Sequence, residues 1–214
     1  MLAVFDFKKD YKELYLPKTV PTVVQVPAIT FLMINGKGNP NTSPEYKGAV
    51  EALYSLAYGI KMSKMSGQQP EGYFDFVVPP LEGLWWLEGE PFNGTVLHRK
   101  EDFCWTMMLR QPEFVTPAVF EAAKATAKKK KPLVNTSKVY LESFEEGLCA
   151  QVMHIGSYDD EPATIAMLDD FITRSGYLTV MSGRRQHHEI YLSDPNKTEA
   201  QKMKTVLRHP VVKI

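Results

Sequence analysis

Leu148-Cys149-Ala150-Gln151-Val152-Met153-His154-Ile155, followed by the polar turn Gly156-Ser157-Tyr158-Asp159-Asp160, opens the passage that decides the fold. The apolar run reads as a strand. Pro162 then sits where a first helical residue belongs, because its missing N–H would be unpaired there in any case. Ile165, Leu168 and Phe171 or Ile172 make one apolar stripe, and Gly176 is placed as a left-handed C-cap. After Gly183 comes the strand His187-His188-Glu189-Ile190-Tyr191-Leu192, closed by Ser193-Asp194-Pro195, and a last strand is expected over Lys204–Arg208.

Working outward, the first half of the chain shows the same pattern. Val23–Ile34 is long and β-branched, which favours a strand, and Asn35–Asn41 interrupts it. Ser43 and Pro44 read as N-cap and first residue of a helix with Val50, Leu53, Ala57 and Ile60 on one face. Strands are expected over Tyr73–Val78, stopped by Pro79-Pro80, and over Phe103–Leu109. Thr116-Pro117 starts a connecting helix near 116–131 that ends in Lys128–Lys131, where cations complement the helix dipole. The fold class is therefore α+β: a single domain over 1–214 made of two β-α-β-β half-domains, approximately 20–110 and 138–214. A pseudo-twofold would relate the halves, with an antiparallel sheet, helices on one face and a central ligand groove.

Composition excludes several function classes. Lys plus Arg and Asp plus Glu each number 25, so no basic excess points to direct nucleic-acid binding. Hydrophobic residues make up 44% and charged residues 23%, enough to bury a core. No run approaches the roughly 20 apolar residues of a membrane span, and no leader pattern opens the chain, so a cytoplasmic location is expected. Cys104 and Cys149 lack metal-knot spacing and read as buried free thiols. No HExxH, GxGxxG, phosphate-binding loop or GxSxG motif occurs, and no metal or other cofactor is expected.

Strand alternation puts His187, Glu189 and Tyr191 on one face and Ile190 and Leu192 on the other. If the first face meets a groove, it offers a carboxylate beside a phenol. Pro79-Pro80-Leu81-Glu82-Gly83-Leu84-Trp85-Trp86 reads as a loop, and two adjacent tryptophans there are costly to expose. Trp85, Trp86, Trp105, Tyr140 and Tyr158 are the candidate walls of a flat pocket.

His188-Glu189-Ile190-Tyr191-Leu192-Ser193-Asp194-Pro195, the entry His154-Ile155-Gly156-Ser157-Tyr158 and the segment Leu81–Trp86 together resemble the GyrI-like small-molecule-binding family, in its stand-alone bacterial branch. The resemblance covers roughly residues 20 to 214. It implies a groove with Glu189 as the buried acid and Trp85 and Tyr191 as walls, taking a planar aromatic or lipophilic cationic small molecule. Some stand-alone members resemble cyclopropanoid cyclopropyl hydrolases, which implies Glu189 as the catalytic base of a water-adding ring opening; charge then develops on the conjugated carbonyl oxygen, and the nearby Tyr191 hydroxyl is the catalytic candidate for stabilising it. Non-enzymatic drug or dye sequestration and, third, a gyrase-modulating interaction module stay open beside it. The segment before the first strand is too short for a helix-turn-helix unit, and the sequence does not address oligomeric state.

Overall fold

The computed structural model describes residues 4–90, 92 and 98–214. Two short helices, α1 (Phe7–Asp10) and α2 (Lys12–Tyr15), lead into the long strand β1 (Thr22–Lys37). Then follow α3 (Pro44–Lys61), β2 (Leu81–Trp86), β3 (Cys104–Arg110), α4 (Pro117–Lys130) and β4 (Tyr140–Ile155). The chain closes with α5 (Glu161–Arg174), β5 (Tyr177–Thr179), β6 (His187–Tyr191) and β7 (Lys204–Lys213). The expected helix starts are in place: Ser43 and Thr116 accept from the N–H of Tyr46 and Val119, and Gly176 has φ +76°.

All strand pairings in the sheet are antiparallel, in the order β4-β1-β3-β2-β6-β7-β5, and β4 also pairs with β7. Six strands thus close into a barrel, with β5 attached outside the ring on β7. Closure removes the open edges that an antiparallel sheet would otherwise leave. Successive side chains point alternately into the ring and toward the helices. Leu84, His188 and Arg208 share one face through the β2–β6–β7 register, while Gly83, Glu189 and Leu207 share the other.

The inner face carries charge. His188 lies with Nδ1 3.0 Å from Glu146 and Nε2 3.0 Å from Glu82, and Arg208 donates to Glu146 at 3.0 Å. The terminal helices complete this cluster: the Tyr15 hydroxyl donates to Glu82, and Arg208 donates to the Leu14 carbonyl. Burial works against charge at both His188 and Glu146, and their mutual attraction overcomes it. His188 is held above the usual histidine range, while Glu146 is pulled down to about 2 with Arg208 helping. Glu82, Glu146, His188 and Arg208 thus form a buried, hydrogen-bonded charge cluster inside the barrel.

Two sequence expectations change. Residues 73–78 do not form a strand; Phe76 makes only an isolated bridge to Phe5. The strand lies just beyond the prolines, over the tryptophan segment read as a loop. Pro79 and Pro80 stand outside the ladder, since neither can donate to it. Gly83 belongs inside it, because a Cβ there would meet Trp85 Nε1 at 2.7 Å. Likewise β1 continues through Gly36, where the Trp105 indole lies so close that a Cβ would sit 2.1 Å from it. Both cysteines are buried and free. No described helix is long and apolar enough to cross a membrane.

Candidate functional site

The site is built on the pair β2–β6, whose register sets Leu81 opposite Tyr191, Gly83 opposite Glu189 and Trp85 opposite His187. Glycine at 83 leaves the space over the middle of this face to the Trp85 indole, which donates its Nε1–H to the Tyr191 hydroxyl at 2.9 Å. Tyr191 in turn donates to Glu189 Oε2 at 2.7 Å, and His187 Nε2 lies 3.2 Å from Glu189 Oε1. Glu189 is only 7% exposed. Its neighbours explain how a carboxylate tolerates that: each oxygen has a polar partner. Burial and the adjacent Glu189 charge push the Tyr191 phenol well up, so it stays protonated and works as a donor.

The helices add what the strands cannot. Tyr46, in the first turn of α3, stacks on Trp85 with ring centroids 6.0 Å apart and meets Trp105 edge-on at 5.3 Å. Tyr158 lies in the 3-10 turn before α5 and meets Tyr191 edge-on at 5.7 Å. That turn is fixed by His154, which contacts the Thr164 hydroxyl at 2.8 Å and the Ser157 carbonyl at 3.0 Å. Gly156 is needed beside it: φ is +149°, and a Cβ would touch the His154 ring at 3.1 Å. Burial, with Glu189 second, raises the Tyr158 phenol to about 12 and pushes Tyr46 higher still.

Glu161, the first residue of α5, was not singled out from the sequence. It is 1% exposed, and its Oε1 has no hydrogen-bond partner among the described residues. Burial and the nearby Glu189 charge hold its carboxyl well above the usual range. A buried acid that keeps its proton beside a second carboxyl is the kind of pairing that can divide acid and base roles. A pattern signal existed, since Glu161 precedes the helix-starting Pro162, but nothing in the spacing says that it turns inward.

Of the candidate residues, Glu189, Tyr191, Trp85 and Tyr158 come together, and Trp105 touches them through Tyr46. Trp86 alternates to the other face of β2. Tyr140 donates to Asn35, which also accepts from Thr106, and belongs to the β1–β4 side of the barrel. The site also contains Asp169 and His209, which reach His187 from α5 and β7 and which no spacing in the sequence groups together.

Known proteins agree with this architecture. A structure from Listeria innocua described as an uncharacterized conserved protein is 50% identical, covers 97% of this chain and 100% of its own, and superposes with a TM-score of 0.92. A hydrolase from the same organism is 48% identical with a TM-score of 0.88, over 97% of this chain and 100% of its own. The C-terminal domain of EcmrR is only 12% identical, with a TM-score of 0.54 over 91% of this chain and 98% of its own, and shares the fold alone. None of the curated proteins compared with the chain matches it. The model of the GyrI-like small molecule binding domain matches residues 19–212, nearly the full length. The chain belongs to the GyrI-like small-molecule-binding domain family.

Proposed function

We propose that this protein binds planar, lipophilic small molecules over the Glu189 face and adds water to the strained ring of cyclopropanoid compounds. The observation that carries the reading is the buried Glu189 carboxylate, held by His187 and Tyr191 among Trp85, Tyr46 and Tyr158. The hydrolase description of a 48%-identical Listeria protein supports the reaction class. The passages β1-α3-β2-β3 and β4-α5-β5-β6-β7, the second with the short β5 added, are read as duplicated half-domains whose seam is this site. In this reading a planar guest enters by parting the Tyr46 and Tyr158 side chains.

In the proposed step, ionised Glu189 takes a proton from a water whose oxygen forms the new bond to a cyclopropane carbon. The ring C–C bond breaks, and its electron pair moves into the conjugated carbonyl, whose oxygen is protonated by Glu161 in its acid form. The one hydroxyl hydrogen of Tyr191 is directed at Glu189, so Tyr191 orients the base, and Glu161, with its unbonded oxygen, is the better proton donor. Binding without chemistry is the second reading. Two acids beside aromatic faces also suit a lipophilic cation, which would be held by Glu189 as counter-charge.

Mass spectrometry of a cyclopropanoid compound incubated with catalytic amounts of the protein tests the proposal. A product heavier by one water, formed over many turnovers, is expected. Stoichiometric binding with the compound recovered unchanged supports sequestration instead.

A further inference from the structure

Glu189 is the inner end of a chain of side chains that leaves the aromatic site by the back. His187 Nε2 lies 3.2 Å from Glu189 Oε1, and His187 Nδ1 lies 2.8 Å from His209 Nε2. His209 Nδ1 lies 3.0 Å from Asp169 Oδ1 on α5. The two imidazoles are fully buried, whereas the Asp169 side chain is 44% exposed. Asp169 opens onto a surface groove of about 480 Å³, shared with Phe92, Tyr177, Leu178 and Met181. The Phe92 ring stacks on His187 at 4.3 Å and closes that imidazole off from the groove.

Counting hydrogens gives the consequence. Three contacts join the four residues, and each needs one hydrogen between its two heavy atoms. Two neutral imidazoles supply one each. With both carboxylates ionised, one contact is therefore left with two lone pairs facing each other, which a buried site penalises. One additional proton fills all three contacts and brings the net charge of the four residues from −2 to −1.

We propose that Asp169, His209 and His187 form a proton store for Glu189, holding one proton beyond the two of the neutral imidazoles and passing it between Glu189 and the His209–Asp169 pair. In one arrangement Glu189 carries it and donates to His187 Nε2, His187 Nδ1–H donates to His209, and His209 Nδ1–H donates to Asp169. Moving one hydrogen across each of the two inner contacts gives the other arrangement. Glu189 is then a carboxylate, and His209 is an imidazolium facing the Asp169 carboxylate, from which solvent takes the proton. No atom moves except the two hydrogens.

The surroundings fit this use. Toward Glu189 face Tyr191 from its own strand, Trp85 from β2, Tyr46 from α3, Tyr158 from the 3-10 turn and Glu161 from α5. Among the described residues around Glu189, His187 alone leads outward by hydrogen bonds to a second carboxylate. Burial lowers the basicity of His187 while Glu189 restores part of it, which disfavours resting charge on the middle of the chain. His188, the next residue, turns its imidazole into the barrel and is excluded from the path. A cationic guest would then drive the stored proton to His209 and leave Glu189 as its counter-charge. In its catalytic use this rests on the proposed ring opening, where it returns Glu189 to the base form while the guest covers the front. The hydrogen count itself does not depend on that reading.

Nuclear magnetic resonance on the ligand-free, full-length protein tests it. Histidine ring ¹⁵N shifts show which nitrogens of His187 and His209 carry hydrogen, and the Glu189 side-chain carboxyl ¹³C shift shows its state. Near neutral pH the wild-type chain is expected to hold three hydrogens over the three contacts. Asp169→Asn keeps size and removes the outer charge at a half-exposed helix position, so folding is preserved, and the count should fall to two. Equal counts in the two proteins, whether two or three, overturn the proposal. Ring opening can fail while the count stands, and the count can fail while ring opening stands, so the two ideas are tested separately.

Discussion

At the scale of single residues the account turns on neighbours that alternation alone could not name. The strand period correctly put His187, Glu189 and Tyr191 together, and their mutual hydrogen bonds bear this out. The partner acid was not legible. Glu161 arrives from the start of a helix, and a helix start gives no period from which an inward direction can be read. If Glu161 supplies the proton to the developing oxygen anion, Glu161→Gln should lower kcat at least about tenfold, within the usual contribution of a general acid. Because burial and Glu189 raise its proton affinity, wild-type turnover should decline as pH rises through that raised value. The variant should lack this alkaline limb, as rate measurements across pH would show. An unchanged limb would remove Glu161 from the chemistry.

Single elements show how local chemistry outvoted pattern. The Pro79-Pro80 pair reads as a terminator, yet the strand begins beyond it, because prolines border a ladder as readily as they end one. Once Leu81–Trp86 pairs with β3 on one side and β6 on the other, the tryptophans need no loop explanation. Trp85 is 3% exposed as part of a central strand. Gly83→Ala would place a methyl at 2.7 Å from the indole nitrogen, forcing the ring off the Tyr191 hydroxyl. We expect a loss of about 1–3 kcal/mol in denaturant unfolding, typical of overpacking, together with altered Trp fluorescence. A variant as stable as wild type would mean that the indole has room to spare. The short helices α1 and α2 were equally hidden: their few buried residues, Phe7, Leu14 and Tyr15, are too widely spread for a helical period.

For the whole molecule, the helices α3, α4 and α5 and the strands β1, β3, β4, β6 and β7 were readable; β2 was placed before its prolines, β5 was not foreseen, and closure of the ring was not legible. Closure depends on β4 pairing with both β1 and β7, a long-range fact that no local window contains. Its interior also breaks the expectation of an apolar core, with Glu82, Glu146, His188 and Arg208 all buried. Removing one member leaves its partners charged and unpaired, so Glu146→Gln should cost about 3–5 kcal/mol in equilibrium unfolding. The pH dependence has a definite sign. Glu146 is depressed from 4.5 to about 2, so its contribution is present above 4.5 and disappears as pH falls toward 2. His188 is raised above 6.5, so its contribution is full below 6.5 and fades as pH climbs through the folded value. Stability from this cluster should therefore be greatest from pH 4.5 to 6.5 and fall on both the acid and the alkaline side, and the absence of both falls would contradict a charged interior.

The central claim, that Glu189 activates water from within an aromatic enclosure, is tested most directly by comparing Glu189→Gln with the wild type. The measurement is the rate of the water-added product from a cyclopropanoid substrate, paired with titration of a neutral planar aromatic ligand. The account predicts a rate at least about tenfold lower, with the neutral ligand still bound. Equal rates in the two proteins would contradict it.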